Sequence, residues 1–211
     1  MGERGRLIIV SGPSGAGKSA LAAAVLETVP GLRFAVSYTT RSPRGKERDG
    51  VEYHFVAEPK FRELVDCGEF LEWAEVYGNY YGTPRVDVDE PLARGEDVLL
   101  DVDVQGARTI RAKRSAAVAV FIMPPSFDVL RERLERRKLD KDYVMKQRLE
   151  IARREIAQYR DYDFLIINQD LAQAAEELKS IILAYRCRLA ARAEAASSIV
   201  GTFGGMDAQN P

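Results

Sequence analysis

The sequence holds 211 residues, 46% of them hydrophobic and 30% charged, with a formal net charge of −1. That is enough apolar material for one large domain, or a core carrying inserted lobes, and it excludes wholesale disorder. Balanced charge argues against a nucleic-acid partner, the two cysteines and one histidine exclude a His/Cys zinc site, and no apolar run approaches the ~20 residues of a membrane span. The N-terminus passes from Met1 through charged residues into an apolar run, without a signal-peptide pattern. Two cysteines far apart in sequence suggest free thiols, so a cytoplasmic, reducing setting is expected.

The first predicted strand is Leu7-Ile8-Ile9-Val10. It leads into Gly12-Pro13-Ser14-Gly15-Ala16-Gly17-Lys18-Ser19, a match to GxxxxGK[ST], and then into an Ala/Leu-rich helix from Lys18 to about Thr28. Strand, loop and helix in that order are the context in which the pattern binds a nucleoside triphosphate. Glycines let successive N–H groups turn inward as an anion nest, and the helix adds the positive end of its dipole. Lys18 can then reach the β and γ phosphates, while the Ser19 hydroxyl can ligate Mg²⁺.

A second strand is expected from Leu32 to Tyr38, then a long polar loop carrying Arg41, Arg44 and Arg48. Val51 to Val56 reads as a short strand, Glu58 to about Cys67 as a helix, and Phe70 to Val76 as a strand followed by the turn-rich run Tyr77 to Pro84. The βα rhythm resumes with a helix from Arg85 to Arg94, a strand from Asp97 to Val104 and a helix from Ala107 to Lys113. Next come a strand from Ala117 to Met123, a helix opened by Ser126, a charged break from Arg136 to Tyr143 and a long helix from Val144 to Tyr159. A last strand spans Phe164 to Asn168, a last helix Leu171 to about Ala193, and residues 194–211 read as an aperiodic, flexible tail. Uniformly apolar strands alternating with helices predict an α/β fold with a parallel sheet covered on both faces. Ligands of such sheets sit beyond the carboxyl ends of the strands, where the glycine loop, Asp101, Asp103 and Asn168 are expected.

Three further groups of residues carry chemistry. The Arg41/Arg44/Arg48 loop, with Ser37 and Tyr53 near in sequence, suits a second phosphate, because arginine forks bind phosphate oxygens bidentately. Glu72, sharing a strand face with Phe70 and Ala74, is a half-buried carboxylate able to accept two hydrogen bonds from guanine (N1–H and the 2-amino group). Asp101 and Asp103, two apart on one predicted strand, are expected to face the same way, so that either can help position Mg²⁺. Arg131, Arg133, Arg136, Arg137 and Arg148 straddle the charged break. Of these, Arg131, Arg133 and Arg136 read as an ordinary charged helix face.

Together these residues resemble guanylate kinase. The likeness is carried by GPSGAGKS, by Ser37-Tyr38-Thr39-Thr40-Arg41-Ser42-Pro43-Arg44 with Glu47 and Asp49-Gly50, and by Tyr53-His54-Phe55. It continues through Glu72-Trp73-Ala74, Gly78-Asn79-Tyr80-Tyr81-Gly82-Thr83 and Asp101-Val102-Asp103-Val104-Gln105-Gly106, and spans about Leu7 to Arg188. The resemblance implies a P-loop three-layer sandwich with a CORE (1–36 and 84–193), an inserted GMP-binding lobe (37–83) and a small LID (about 134–148). It implies ATP, Mg²⁺ and GMP as ligands, with tolerance of dGMP and the oligomeric state left open. By the same resemblance Ser37, Arg41, Arg44, Tyr53 and Tyr81 hold the GMP phosphate, and Glu72, Thr83 and Asp101 read guanine. Gly12 to Ser19, Arg137 and Asn168 hold ATP, Ser19 and Asp103 hold Mg²⁺ with water between, and Lys18, Arg44, Arg137 and Arg148 are catalytic. In the LID this chain has Arg137-Lys138-Leu139-Asp140 where the family usually has Arg-Gly-Thr-Asp. Two rivals are a kinase for another nucleoside monophosphate and a catalytically silent scaffold of the same fold.

Overall fold

The computed structural model describes residues 4–136 and 142–203. A fully parallel five-stranded sheet forms the centre, in the order β2-β7-β1-β8-β9. Its strands are β1 (Leu7–Ser11), β2 (Leu32–Phe34), β7 (Asp97–Asp101), β8 (Val118–Met123) and β9 (Phe164–Ile167). Strand alternation sends Ile8 and Val10 to one face, where they meet Leu21 and Val25 of α1 (Lys18–Thr28) and Leu178 and Ile182 of α7 (Leu171–Arg186). Leu7 and Ile9 go to the other face, against Val88 and Leu92 of α3 (Val86–Ala93) and Ile110 of α4 (Val104–Lys113). Helix layers on both sides of one sheet make the three-layer α/β sandwich that the uniformly apolar strands predict.

A second sheet, ordered β4-β3-β6-β5, is built from β3 (Tyr38–Thr39), β4 (His54–Phe55), β5 (Phe70–Val76) and β6 (Asn79–Pro84). Helix α2 (Glu58–Asp66) seats Phe61 against Phe70 and Tyr80 of this sheet. Helices α5 (Phe127–Arg136) and α6 (Asp142–Glu155) share a small core of Leu130, Leu134 and Ala152. Leu130 and Leu134 also lean on the glycine loop, where a Cβ at Gly15 would come within 2.9 Å of Leu130 Cδ1.

Several elements differ from the sequence expectation. The run from Leu32 to Tyr38 is not one strand: β2 stops at Phe34, and Tyr38 opens β3 of the second sheet. The turn-rich run after Val76 is mostly strand, because β6 pairs antiparallel with β5 and only Tyr77-Gly78 turns. β7 ends at Asp101 and α4 begins at Val104, three residues earlier than expected, because Asp103 caps that helix through its side chain. Residues 194–202 are helical rather than aperiodic. The last helix breaks at Cys187 and Arg188, and α8 (Leu189–Thr202) follows. Its alanine-rich sequence needs no apolar stripe to favour helix, and Arg6 Nη2 donates to Arg186 O and Ala191 O across the break. Arg137 and the rest of the altered LID sequence, like residues 204–211, lie outside the described residues.

Candidate active site

β1 delivers the chain to the glycine loop at the carboxyl edge of the sheet. Gly12 and Gly17 take φ of 138° and 96°. A Cβ at Gly12 would lie 2.3 Å from Ile122 O, and one at Gly17 would lie 2.2 Å from Asn168 Nδ2, so both positions exclude a side chain. Lys18 Nζ folds over the loop and donates to Gly12 O at 2.8 Å and Pro13 O at 3.4 Å. The loop is thus tied in the curled form that a polyphosphate requires.

Asp101, at the end of β7, stands against the loop. Its Oδ2 accepts from Ser19 Oγ at 2.8 Å, and Lys18 Nζ is 3.9 Å from its Oδ1. Asp103 is placed differently from the expectation of two carboxylates on one strand face. Its Oδ1 accepts the Gly106 N–H at 2.8 Å and Gln105 Nε2 approaches Oδ2 at 3.3 Å, so its side chain serves the start of α4.

Asn168, buried at the end of β9, donates through Nδ2 to Ala16 O at 2.8 Å, so it buttresses the glycine loop. Arg133 was expected on a solvated face. In the structure its Nη2 donates to Asn168 O at 2.8 Å and Nη1 to Ala16 O at 3.5 Å, which sets the guanidinium beside the loop. It lies on α5 next to the buried Leu134, a stripe-edge position that periodicity alone reads as either surface or site. Arg131 and Arg136 do follow the sequence reading, pairing with Asp128 and Glu132 on the exposed face of α5.

The second sheet gathers the other set. Arg41 is buried and fork-paired to Glu47 at 2.7 and 3.0 Å, its Nε donates to Tyr81 OH at 3.2 Å, and its guanidinium carbon lies 5.2 Å from the Tyr53 ring centroid. Burial opposes charge on both partners. The paired hydrogen bonds still hold Arg41 above and Glu47 below their ordinary pKa values. Glu47 also accepts the Arg44 N–H at 2.7 Å, which shapes the arginine loop from inside.

Glu72 is only 5% exposed. The register of β5 on β6 sets it opposite Thr83, whose hydroxyl donates to Oε1 at 2.6 Å. With its O–H directed at Glu72, Thr83 accepts from Ser37 Oγ at 3.3 Å. The simple alternation expected along this strand is broken by a register shift between Phe70 and Glu72, so that Leu71 and Glu72 are both buried. Leu71 joins the central core while Glu72 is aimed at the start of α4, as bulges beside active sites often arrange. Burial pushes the Glu72 carboxyl up to about 7. The Asp103 charge adds to this, while the Thr83 hydrogen bond and Lys113 oppose it.

Asp101, bonded to Ser19 of the glycine loop, also acts electrostatically on Tyr53 beside the second sheet. The family model of guanylate kinase matches residues 4–185. The chain belongs to the guanylate kinase family. It is 48% identical over 185 residues to the guanylate kinase of Symbiobacterium thermophilum, covering 88% of each chain. It is 50% identical over 188 residues to that of Aliivibrio fischeri, covering 88% of this chain and 91% of the relative. The crystal structure of guanylate kinase from Anaplasma phagocytophilum superposes with a TM-score of 0.76 at 34% identity, over 88% of each chain. As a member of the guanylate kinase family the chain is a nucleoside monophosphate kinase, a phosphotransferase with nucleotide substrates. Among the described residues no helix is long and apolar enough to cross a membrane.

Proposed function

We propose that the chain moves the γ-phosphoryl group of ATP to GMP by direct in-line transfer, with Mg²⁺, as a cytoplasmic enzyme of purine nucleotide metabolism. The observation that carries this reading is the buried Glu72–Thr83–Ser37 hydrogen-bond chain on the second sheet of a protein whose first strand ends in a phosphate loop. A carboxylate in that setting matches the paired N–H donors of guanine and no such pair exists on adenine. The free, exposed Cys67 and Cys187 fit a reducing compartment.

The loop amides and Lys18 grip the ATP phosphates, and Asn168 and Arg133 keep the loop in shape. Residues 37–83 form the GMP lobe: Arg44, Arg41, Tyr53 and Tyr81 take the GMP phosphate, with Arg41 pre-aligned by Glu47. Glu72, Thr83 and Ser37 read the base. For the metal, Ser19 and Asp101 offer hard oxygen donors 2.8 Å apart, while Asp103 is engaged in capping α4. That donor set fits Mg²⁺, which binds through one or two protein oxygens, phosphates and water. Once bound, Mg²⁺ would neutralise charge on the β and γ phosphates. We therefore assign Asp101 to the metal side and leave Asp103 as the helix cap. Arg148 supplies positive charge for the transferring group, and exclusion of water protects ATP from hydrolysis.

A coupled assay with GMP, AMP, UMP and dTMP as acceptors tests the reading. GMP is expected to exceed the others in kcat/KM by on the order of 10³ or more. Equal use of AMP would sink it.

Gly106 provides an independent check. A Cβ there would fall 2.8 Å from Glu72 Oε2 and 3.2 Å from Asp103 Oδ1. Gly106→Ala favours the α4 helix by propensity yet displaces the base-reading carboxylate. We expect KM for GMP to rise about tenfold or more with KM for ATP unchanged. An unaltered GMP KM would show that Glu72 does not need this space.

A further inference from the structure

The β5–β6 hairpin turns on Tyr77 and Gly78, with φ of 54° and 73°. Two-residue hairpin turns with positive φ favour Asn, Asp or Gly, and a bulky aromatic there is an outlier. Among the described residues Tyr77 alone, glycines aside, has positive φ. Backbone strain of this kind persists where surrounding contacts hold it, and it gathers at functional sites.

Those contacts lead away from the hairpin. The Tyr77 ring centroid lies 5.5 Å from the guanidinium carbon of Arg148, a residue of α6 that is only 4% exposed. The Tyr77 hydroxyl is buried without a hydrogen-bond partner, so the ring rather than the hydroxyl is what the site uses. Glu155, at the far end of α6 and also buried, acts electrostatically on both Tyr77 and Lys18. One aromatic ring thus joins the turn of the GMP lobe to the arginine-bearing helix on the ATP side.

We propose that Tyr77 is a positioning residue that seats Arg148 for phosphoryl transfer and sets the GMP lobe in register with α6. The face of an aromatic ring attracts a guanidinium through the ring quadrupole, so the Tyr77 ring bears on where the Arg148 guanidinium lies. The inference rests on the role of Arg148 proposed above.

The test compares Tyr77→Asn, Tyr77→Phe, Arg148→Ala and the Asn/Ala double variant in steady-state kinetics and thermal melts. Asn suits the turn, so Tyr77→Asn is expected to hold or raise the melting temperature while kcat falls about tenfold and both KM values stay within about threefold. Tyr77→Phe keeps the ring and should retain kcat, and adding Tyr77→Asn to Arg148→Ala should cost nothing more. Full kcat in Tyr77→Asn would overturn the proposal. So would a further loss in the double variant, or a kcat loss in Tyr77→Phe as large as in Tyr77→Asn. Undiminished turnover in Arg148→Ala would instead remove the underlying role of Arg148.

Discussion

Replacing Lys18 with alanine is expected to lower kcat by on the order of 10³-fold or more, with the protein still folded. The ammonium group has two tasks. It ties the loop by donating to Gly12 O and Pro13 O, and it lies 3.9 Å from Asp101. With ATP bound it can swing from those carbonyls to phosphate oxygens, where it meets the charge that develops during transfer. Alanine favours the first turn of α1, so helix propensity gives no reason for unfolding. The main-chain nest and the end of α1 remain, so ATP affinity should fall far less than kcat. Titration calorimetry with ATP and a coupled assay with GMP separate the two effects. Turnover near that of the unaltered protein would remove the loop assignment.

Glu72→Ala is expected to cut kcat/KM for GMP by on the order of 10³-fold while KM for ATP stays within about threefold. A site built around a hydrogen-bonding carboxylate loses its discrimination when the acceptor goes, because guanine donors then enter a pocket without partners. Stability should move the other way, since a carboxylate held 5% exposed resists ionisation. A melting temperature held or raised beside a collapsed GMP efficiency is the signature of a residue kept for function.

The same carboxyl is expected to make GMP recognition dependent on pH. Its folded-state pKa lies near 7, above the ordinary 4.5, so the folded protein holds this proton more tightly than the unfolded chain does. The corresponding share of stability is present below pH 4.5 and is lost as pH rises through about 7. On the proposed reading, guanine's two donors need the ionised form. The kcat/KM for GMP should therefore fall below pH 7, approaching about tenfold per unit from this group. Glu155, pushed by burial to about 7 and sensing Lys18, titrates in the same window, and the GMP phosphate titrates near pH ~6. Glu72→Gln isolates the contribution of Glu72. If its GMP profile keeps the full slope of the unaltered protein, the dependence belongs to the other groups.

Much of the site could be read from local sequence because local geometry builds it. The glycine loop needs only its own residues and the flanking strand and helix, and it forms where the pattern lies. Glu72 was legible as a half-buried carboxylate, yet its neighbours were not. The register shift next to it and the approach of Gly106 come from β6 and α4, and alternation along β5 contains neither. Asp101 and Asp103 look equivalent by spacing. They part because one ends a strand and the other caps a helix. Arg133 was hidden for a related reason: an arginine beside an apolar stripe has the same local pattern whether it meets water or a loop carbonyl.

The sequence by itself determined the α/β class, the glycine loop between strand and helix, and the strand-and-turn segment inserted after it, since these depend on runs of neighbouring residues. The strand order β2-β7-β1-β8-β9, the contact of Asp101 with Ser19, and the meeting of Tyr77 with Arg148 were decided only by tertiary structure. The physical reason is range. Backbone propensity and capping act over a few residues, whereas these contacts join residues tens of positions apart, brought together by burial of the two faces of the central sheet.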